Sequence, residues 1–217
     1  MVITSIFFKV PNPGEVKTRL ALGVGPEAAA NLATAFFLDT LDVVSSTPGL
    51  EPVVATTGEL PDTLKAQIGC PIWRQGQGGL SERLERILGL ALEQAPYAMA
   101  LGADSPGLSP AMLIELKEIL EARDSAIGPT EDGGYYALGL NRCPEGLLAD
   151  IPWSSRNTCS STENRLGAHG LTHARGRHFY DVDHPHDLTR LTEELNAGAL
   201  HAPHTHRLIK SLNLTKE

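Results

Sequence analysis

The sequence predicts an α/β domain built on a mixed, mostly parallel sheet flanked by helices. Short apolar runs alternate with longer stretches of helical periodicity, the signature of stacked β-α units. Pro and Gly cluster where one pattern gives way to the other. With 41% hydrophobic residues, a chain of 217 can bury a core without disulfides or structural metal. That length suits one domain over residues 1–198, followed by a C-terminal extension over 199–217.

In chain order, apolar and β-branched runs predict strands over 3–8, 52–56, 72–75, 98–102, 125–128 and 135–140, with a last one over roughly 177–182. Helices are predicted over 26–46, 80–94, 110–122, 162–169 and 185–196. The first opens on Pro26, and Leu32, Phe36, Leu38 and Leu41 spread over a broad apolar face. Ser109-Pro110 and His184-Pro185 have the form of helix entries. The tail holds His201, His204 and His206 and then a weakly amphipathic stretch over 208–214, a docked helix or an oligomer contact. A strand edge, or the tail residues Leu208, Ile209 and Leu212, would serve a homodimer.

A net charge of −8 argues against nucleic acid as a partner. No run approaches the ~20 apolar residues of a membrane span, and the start resembles no signal peptide. Cys70, Cys143 and Cys159 are widely spaced with no Cys-x-x-Cys pair, which fits a reducing compartment, so a cytoplasmic location is expected. Nothing resembles a Ser-His-Asp or Cys-His arrangement.

Within this acidic chain one loop is basic. Residues 9–20 (KVPNPGEVKTRL) follow the first strand and present Lys9, Pro13, Gly14, Lys17 and Arg19. Open α/β sheets bind ligands outside the carboxyl ends of their strands, and polyphosphates need several cationic donors at once. The Walker pattern is absent, which excludes a P-loop ATPase. The alternative is a polar loop with helix-start charges.

Gly102-Ala103-Asp104-Ser105-Pro106 ends a strand and presents Asp104, placed to hold Mg²⁺ against phosphate oxygens or, alternatively, to cap a turn. In Asp181-Val182-Asp183-His184-Pro185, Asp183 would supply a second metal carboxylate, while Asp187 suits the first turn of the next helix; the alternative is a strand-to-helix corner decorated with caps. Gly128-Pro129-Thr130-Glu131-Asp132-Gly133-Gly134 is either a close approach to an acceptor, with Asp132 as its polar group or base, or a hairpin turn. Weaker signals are the glycine-rich loop from Trp73 and Gln75 to Arg83, facing a base or sugar, and Trp153-Ser154, suited to an acceptor pocket.

Taken together and in this order, these segments resemble the rSAM/selenodomain-associated transferase 1 family. Members have the GT-A, nucleotide-diphospho-sugar transferase fold of Rossmann type and are often labelled glycosyltransferases, some in arsenosugar gene clusters. The opening loop is also similar to that of the phospholactate guanylyltransferases, and the Asp-x-Asp corner to that of molybdenum-cofactor nucleotidyltransferases. Gly79 and Ser81 depart from the family's pattern, which has an acidic residue and a glycine there.

The resemblance implies a Mg²⁺- (or Mn²⁺-) dependent transferase that moves a glycosyl or nucleotidyl group from a nucleotide or nucleotide-sugar to a small acceptor. Lys17, Arg19 and Asp132 would be catalytic. Lys9, Pro13, Gly14, Lys17, Arg19 and Gln75 would bind the nucleotide, and Asp132, Gly133, Gly134, Trp153 and Ser154 the acceptor. Asp104 and Asp183 would hold the metal. The alternative is a non-catalytic nucleotide-binding scaffold of the same fold.

Overall fold

A computed structural model describes residues 1–212; Leu214 and the rest of 213–217 lie outside the described residues. Strand β1 (Val2–Phe8) is buried at every position but Phe7, as expected of a central strand covered on both faces. The chain leaves it through the basic loop, makes one turn, α1 (Ala21–Val24), and enters α2 (Pro26–Ser46) with Pro26 in its first turn. Strand β2 (Leu50–Thr56) returns parallel to β1, and after α3 (Asp62–Lys65), β3 (Ile72–Arg74) adds parallel to β2.

Helix α4 (Leu80–Leu92) then carries the chain across to β4 (Tyr97–Gly102), which pairs with the other side of β1. The order of strands thus reverses at β1 and β4, and a crevice opens beyond their carboxyl ends. Helix α5 (Pro110–Ala122) starts from Ser109, whose side chain accepts from the Met112 amide. Next come β5 (Ser125–Pro129) and β6 (Tyr135–Leu140); β6 runs antiparallel between β4 and β5. Helix α6 (Thr158–Ala168) leads to β7 (His173–Arg175), parallel to β5. The finished seven-stranded sheet has the order β3-β2-β1-β4-β6-β5-β7, with β6 alone reversed. Helices α7 (Pro185–Asn196) and α8 (Pro203–Ser211) close the chain.

One face of the sheet packs against α2, α3 and α5 through Phe37, Leu41, Leu64, Leu113 and Leu116, with Phe8 stacked on Phe37 at 4.1 Å. The other face packs against α4 and α6 through Leu84, Leu88, Cys159 and Leu166. A third cluster joins α2 to α7 and α8 through Phe36, Leu191, Leu195 and Ile209. Each buried side chain of this size stabilises the fold by about 1.5–3 kcal/mol. Contrary to the expectation that no run approaches a membrane span, α2 is by length and composition apolar enough to cross one, but 61% of its most apolar 18-residue stretch is buried inside the protein.

The structure corrects several boundaries. Residues 177–182 form no strand; β7 lies earlier, and the chain leaves the sheet at Gly176, where a side chain would come within 2.8 Å of Leu116. The apolar signal came from Tyr180 and Val182, which are buried against α2 and α7 rather than paired in the sheet. Phe179 keeps a bridge to Thr130, and the Arg177 carbonyl accepts from Tyr136 Oη of β6. Helix α6 starts at Thr158, four residues ahead of the predicted 162, inside a Ser/Thr/Asn run that favours caps and turns on propensity.

Candidate active site

Loops from β1, β4 and the segment before α7 converge on the crevice. Lys17, held at φ 47°, sends its ammonium between two carboxylates: Nζ lies 2.7 Å from Asp104 Oδ1 and 2.8 Å from Asp183 Oδ1. Its side chain is 5% exposed, against 54% and 42% for the two acids. Burial alone would push the Lys17 pKa down, but the charges and hydrogen bonds of Asp104 and Asp183 outweigh it and hold it above the ordinary lysine value. Burial likewise opposes the ionised form of Asp183, yet Lys17 keeps its pKa below the usual range. Asp187 caps α7 instead, accepting from the amides of Asp183 and His184, and so fixes the corner that carries Asp183.

A third acid completes the cluster. Asp181 accepts from Ser105 Oγ at 2.5 Å, and burial, then the charge of Asp104, push its pKa up to about 7. The Val182 amide donates to the Asp104 carbonyl, tying the two acidic segments together.

Two cavities meet at this cluster and share Phe7, Arg19, Leu80, Asp104, Ser154 and Asp183. The first, about 490 Å³, is lined by Lys9, Lys17, Arg19, Gln75 and Arg83. Gln75 is buried and doubly anchored: its Nε2 donates to Ala55 O at 2.8 Å, and its Oε1 accepts from Arg83 Nη1 at 3.3 Å. Lys9 closes the basic loop by donating to Glu15 O at 2.8 Å, and Pro13 and Gly14 sit exposed in that loop without lining the cavity.

The second cavity, about 480 Å³, is lined by Asp132, Gly134, Tyr135, Trp153, Ser154, Ser155, Arg156 and Asp181. Asp132 turns the β5–β6 loop: its Oδ1 accepts from Thr130 Oγ1 at 2.6 Å and from the Gly134 amide at 3.0 Å. Gly133 lies beneath, at φ 93°, where a Cβ would meet the Arg156 carbonyl at 2.2 Å. Neighbouring Glu131 points elsewhere and pairs with Arg190. Trp153 packs edge-on to Tyr135, and its indole Nε1 donates to Ser81 Oγ at 2.9 Å, which donates in turn to Leu148 O.

A family model described as "Uncharacterized protein conserved in bacteria (DUF2064)" matches residues 40–155. The chain belongs to the DUF2064 family. The DUF2064 match holds Gln75, Asp104, Asp132 and Trp153; Lys17, Arg19 and Asp183 lie outside it. No curated protein matches the sequence.

Among solved structures, a protein of Desulfovibrio desulfuricans G20, provisionally named a nucleotide-diphospho-sugar transferase, is 25% identical. The alignment covers 99% of this chain and 96% of that one, with a TM-score of 0.87. CMP:2-keto-3-deoxy-manno-octonic acid synthetase, solved with CTP, is 13% identical over 92% and 99% of the two chains, with a TM-score of 0.57. Glucosyl-3-phosphoglycerate synthase of Mycobacterium tuberculosis, solved with Mn²⁺, UDP and glucosyl-3-phosphoglycerate, is 12% identical. It covers 100% of this chain and 81% of that one, with a TM-score of 0.52. The fold is that of nucleotide-diphospho-sugar transferases.

Some lining residues carried no signal of their own in the sequence. Arg83 stood inside a loose glycine-rich pattern, and only its bond to Gln75 places it in the first cavity. Arg156 follows Trp153-Ser154-Ser155 and looks like any surface arginine until the loop turns it toward Gly133. Ser105 and Asp181 meet only through the fold, although both flanked residues already singled out.

Proposed function

We propose that this chain is a divalent-metal-dependent transferase, taking a nucleotide or nucleotide-sugar donor in the first cavity and a small acceptor in the second. The observation that carries the reading is the seam between the cavities, where Lys17, Asp104 and Asp183 meet within hydrogen-bond distance. The CTP and the Mn²⁺ and UDP bound by neighbours of the same fold support it.

Asp104 and Asp183 are hard oxygen donors that suit a Mg²⁺ or Mn²⁺ ion, but the point both reach is filled by the Lys17 ammonium, so an ion would enter there only with Lys17 swung out onto the donor's phosphates. Bound there, the ion would neutralise charge on the donor's phosphate oxygens. Lys9, Lys17, Arg19 and Arg83 would grip the same phosphates, with Gln75 holding Arg83 in place. On the acceptor side, Asp132 would orient the attacking hydroxyl and take its proton, with Gly133 and Gly134 letting the backbone approach and Trp153 and Ser154 forming the wall. Catalysis in such a site is positioning and charge neutralisation. The three free cysteines support a cytoplasmic location.

The basic cluster favours a triphosphate donor, hence nucleotidyl transfer with release of pyrophosphate. Glycosyl transfer is the second reading, favoured by the likeness to the Desulfovibrio protein and by the resemblance to the rSAM-associated transferases. Thermal-shift binding of nucleoside triphosphates and nucleotide sugars, with and without Mg²⁺, tests both on wild type and Asp104→Ala. A ligand at 100 times its Kd stabilises by about 2.7 kcal/mol. A Mg²⁺-dependent shift for one triphosphate, lost in the variant, is the expected result; a shift for one nucleotide sugar moves the reading to glycosyl transfer. No shift with any of them rejects nucleotide binding in the first cavity, and with it the transferase reading.

A further inference from the structure

The charges lining the second cavity are unequally engaged. Asp104 and Asp183 are answered by the Lys17 ammonium, Asp181 accepts from Ser105 Oγ, and Asp132 Oδ1 accepts from Thr130 and Gly134. The arginines are not so engaged. Arg156 lines the cavity from the loop ahead of α6, is exposed, and has no ion pair or side-chain hydrogen bond among the described residues. Arg19 enters from the opposite wall and likewise has no carboxylate within salt-bridge distance among the described residues.

The setting of Arg156 is built rather than incidental. Its carbonyl sits under Gly133 so closely that only glycine fits, which fixes the backbone from which the guanidinium reaches the cavity. Beside it stand the hydroxyls of Ser154 and Ser155 and the edge of Trp153, itself pinned by Ser81. The first turn of α6 carries no acidic residue, and its leading amides, those of Thr158 and Cys159, donate to the carbonyls of Ser155 and Gly133, which ties this wall to the β5–β6 loop.

We infer that the second cavity takes a small hydroxylated compound bearing one anionic group, a phosphate or a carboxylate, and that Arg156 grips that group. A guanidinium presents two parallel donors to either anion, and among the described residues nothing competes for them at Arg156. With the anion held there, the hydroxyl end of the compound faces Asp132 and the Lys17 cluster. That this compound is the acceptor rests on the reading proposed above; the anion grip itself does not.

Glycerol 3-phosphate, glycerate and glycerol share a three-carbon hydroxylated frame and differ in charge, so calorimetric titration of the full chain with each isolates the anion. Wild type binds one of the two anions about tenfold or more tightly than glycerol, and the preferred one identifies phosphate or carboxylate. Arg156→Gln loses that margin and Arg156→Lys keeps part of it, whereas Arg83→Gln, in the first cavity, leaves it intact.

Glycerol binding as tightly as both anions overturns the inference, as does Arg156→Gln binding like wild type. A loss in Arg83→Gln without one in Arg156→Gln overturns it too, because the anion then sits among the donor's phosphate ligands. Nucleotide thermal shifts on the same proteins separate the two levels. Arg156-dependent anion binding without any nucleotide shift removes the transferase reading and leaves the anion site standing.

Discussion

At the scale of single residues, Lys17 combines an unfavourable backbone with a favourable charge environment. A non-glycine residue at φ 47° costs about 1–3 kcal/mol, and the paired carboxylates of Asp104 and Asp183 offset it. Removing the ammonium leaves two acids facing each other. Lys17→Met should therefore melt earlier than wild type in buffer free of divalent ions and recover on adding Mg²⁺, while turnover falls about 100-fold or more. A melting temperature indifferent to Mg²⁺ would argue that the acids do not share a cation.

Asp181 gives the matching pH test. A carboxyl whose pKa rises on folding to about 7 keeps its proton longer in the folded chain than in the unfolded one. Stability from this group is therefore full below the unfolded value of ~3.9 and declines as the pH climbs through about 7. In metal-free protein, Asp181→Asn should gain on wild type across that window and match it in more acidic buffer. Parallel stability curves would contradict the buried setting of Asp181.

Among the elements, the β5–β6 loop is the most constrained. It must turn in the few residues between Pro129 and Tyr135, hold Asp132 by its own hydrogen bonds, and let the Arg156 carbonyl pass beneath. Gly133→Ala puts a methyl group 2.2 Å from that carbonyl at a φ of 93°. A loss of about 2 kcal/mol or more is expected in denaturant unfolding, together with loss of binding in the second cavity. An unchanged midpoint would mean that the loop relaxes freely.

The same loop shows what the sequence discloses. Asp-Gly before a strand announced the turn, because local turn chemistry is written in adjacent residues. Lys17, Arg19 and Asp104 stand out as candidates for a related reason: they lie in the loops that follow the apolar strands β1 and β4, whereas Asp183 follows a strand-like run that forms no strand. What stayed hidden depends on distant pairing. Ser81 looked like a departure from a pattern, yet its hydroxyl joins Trp153 to Leu148 O across the fold. Residues 177–182 carry a strand-like apolar alternation, and only the position of α7 reveals that Tyr180 and Val182 face a helix cluster.

For the molecule as a whole, α8 binds the end of the chain to its first long helix. Asp39 of α2 is 6% exposed and accepts from the amides of His204 and Thr205 and from Thr205 Oγ1, while Ile209 is fully buried between α2 and α7. Burial raises the Asp39 pKa, and the donors from α8 work against that rise. Ile209→Ala should cost about 2–5 kcal/mol in equilibrium unfolding, the range for emptying a buried aliphatic site. A loss of only a few tenths would show that α8 contributes little to the fold.

The sheet ends on both sides in a strand of three residues, β3 and β7, which carry Arg74 and Arg175, each paired with a glutamate. An unpaired edge is a template on which other chains can add and from which fibrils grow. Here the template is too short and too charged to guide such growth. The long apolar strands that would be dangerous if exposed, β1, β2 and β4, lie in the interior of the sheet. The hazard of aggregation is thereby confined to the time before β2 and β4 have closed over β1, so refolding yield should depend on how fast those parallel pairings form.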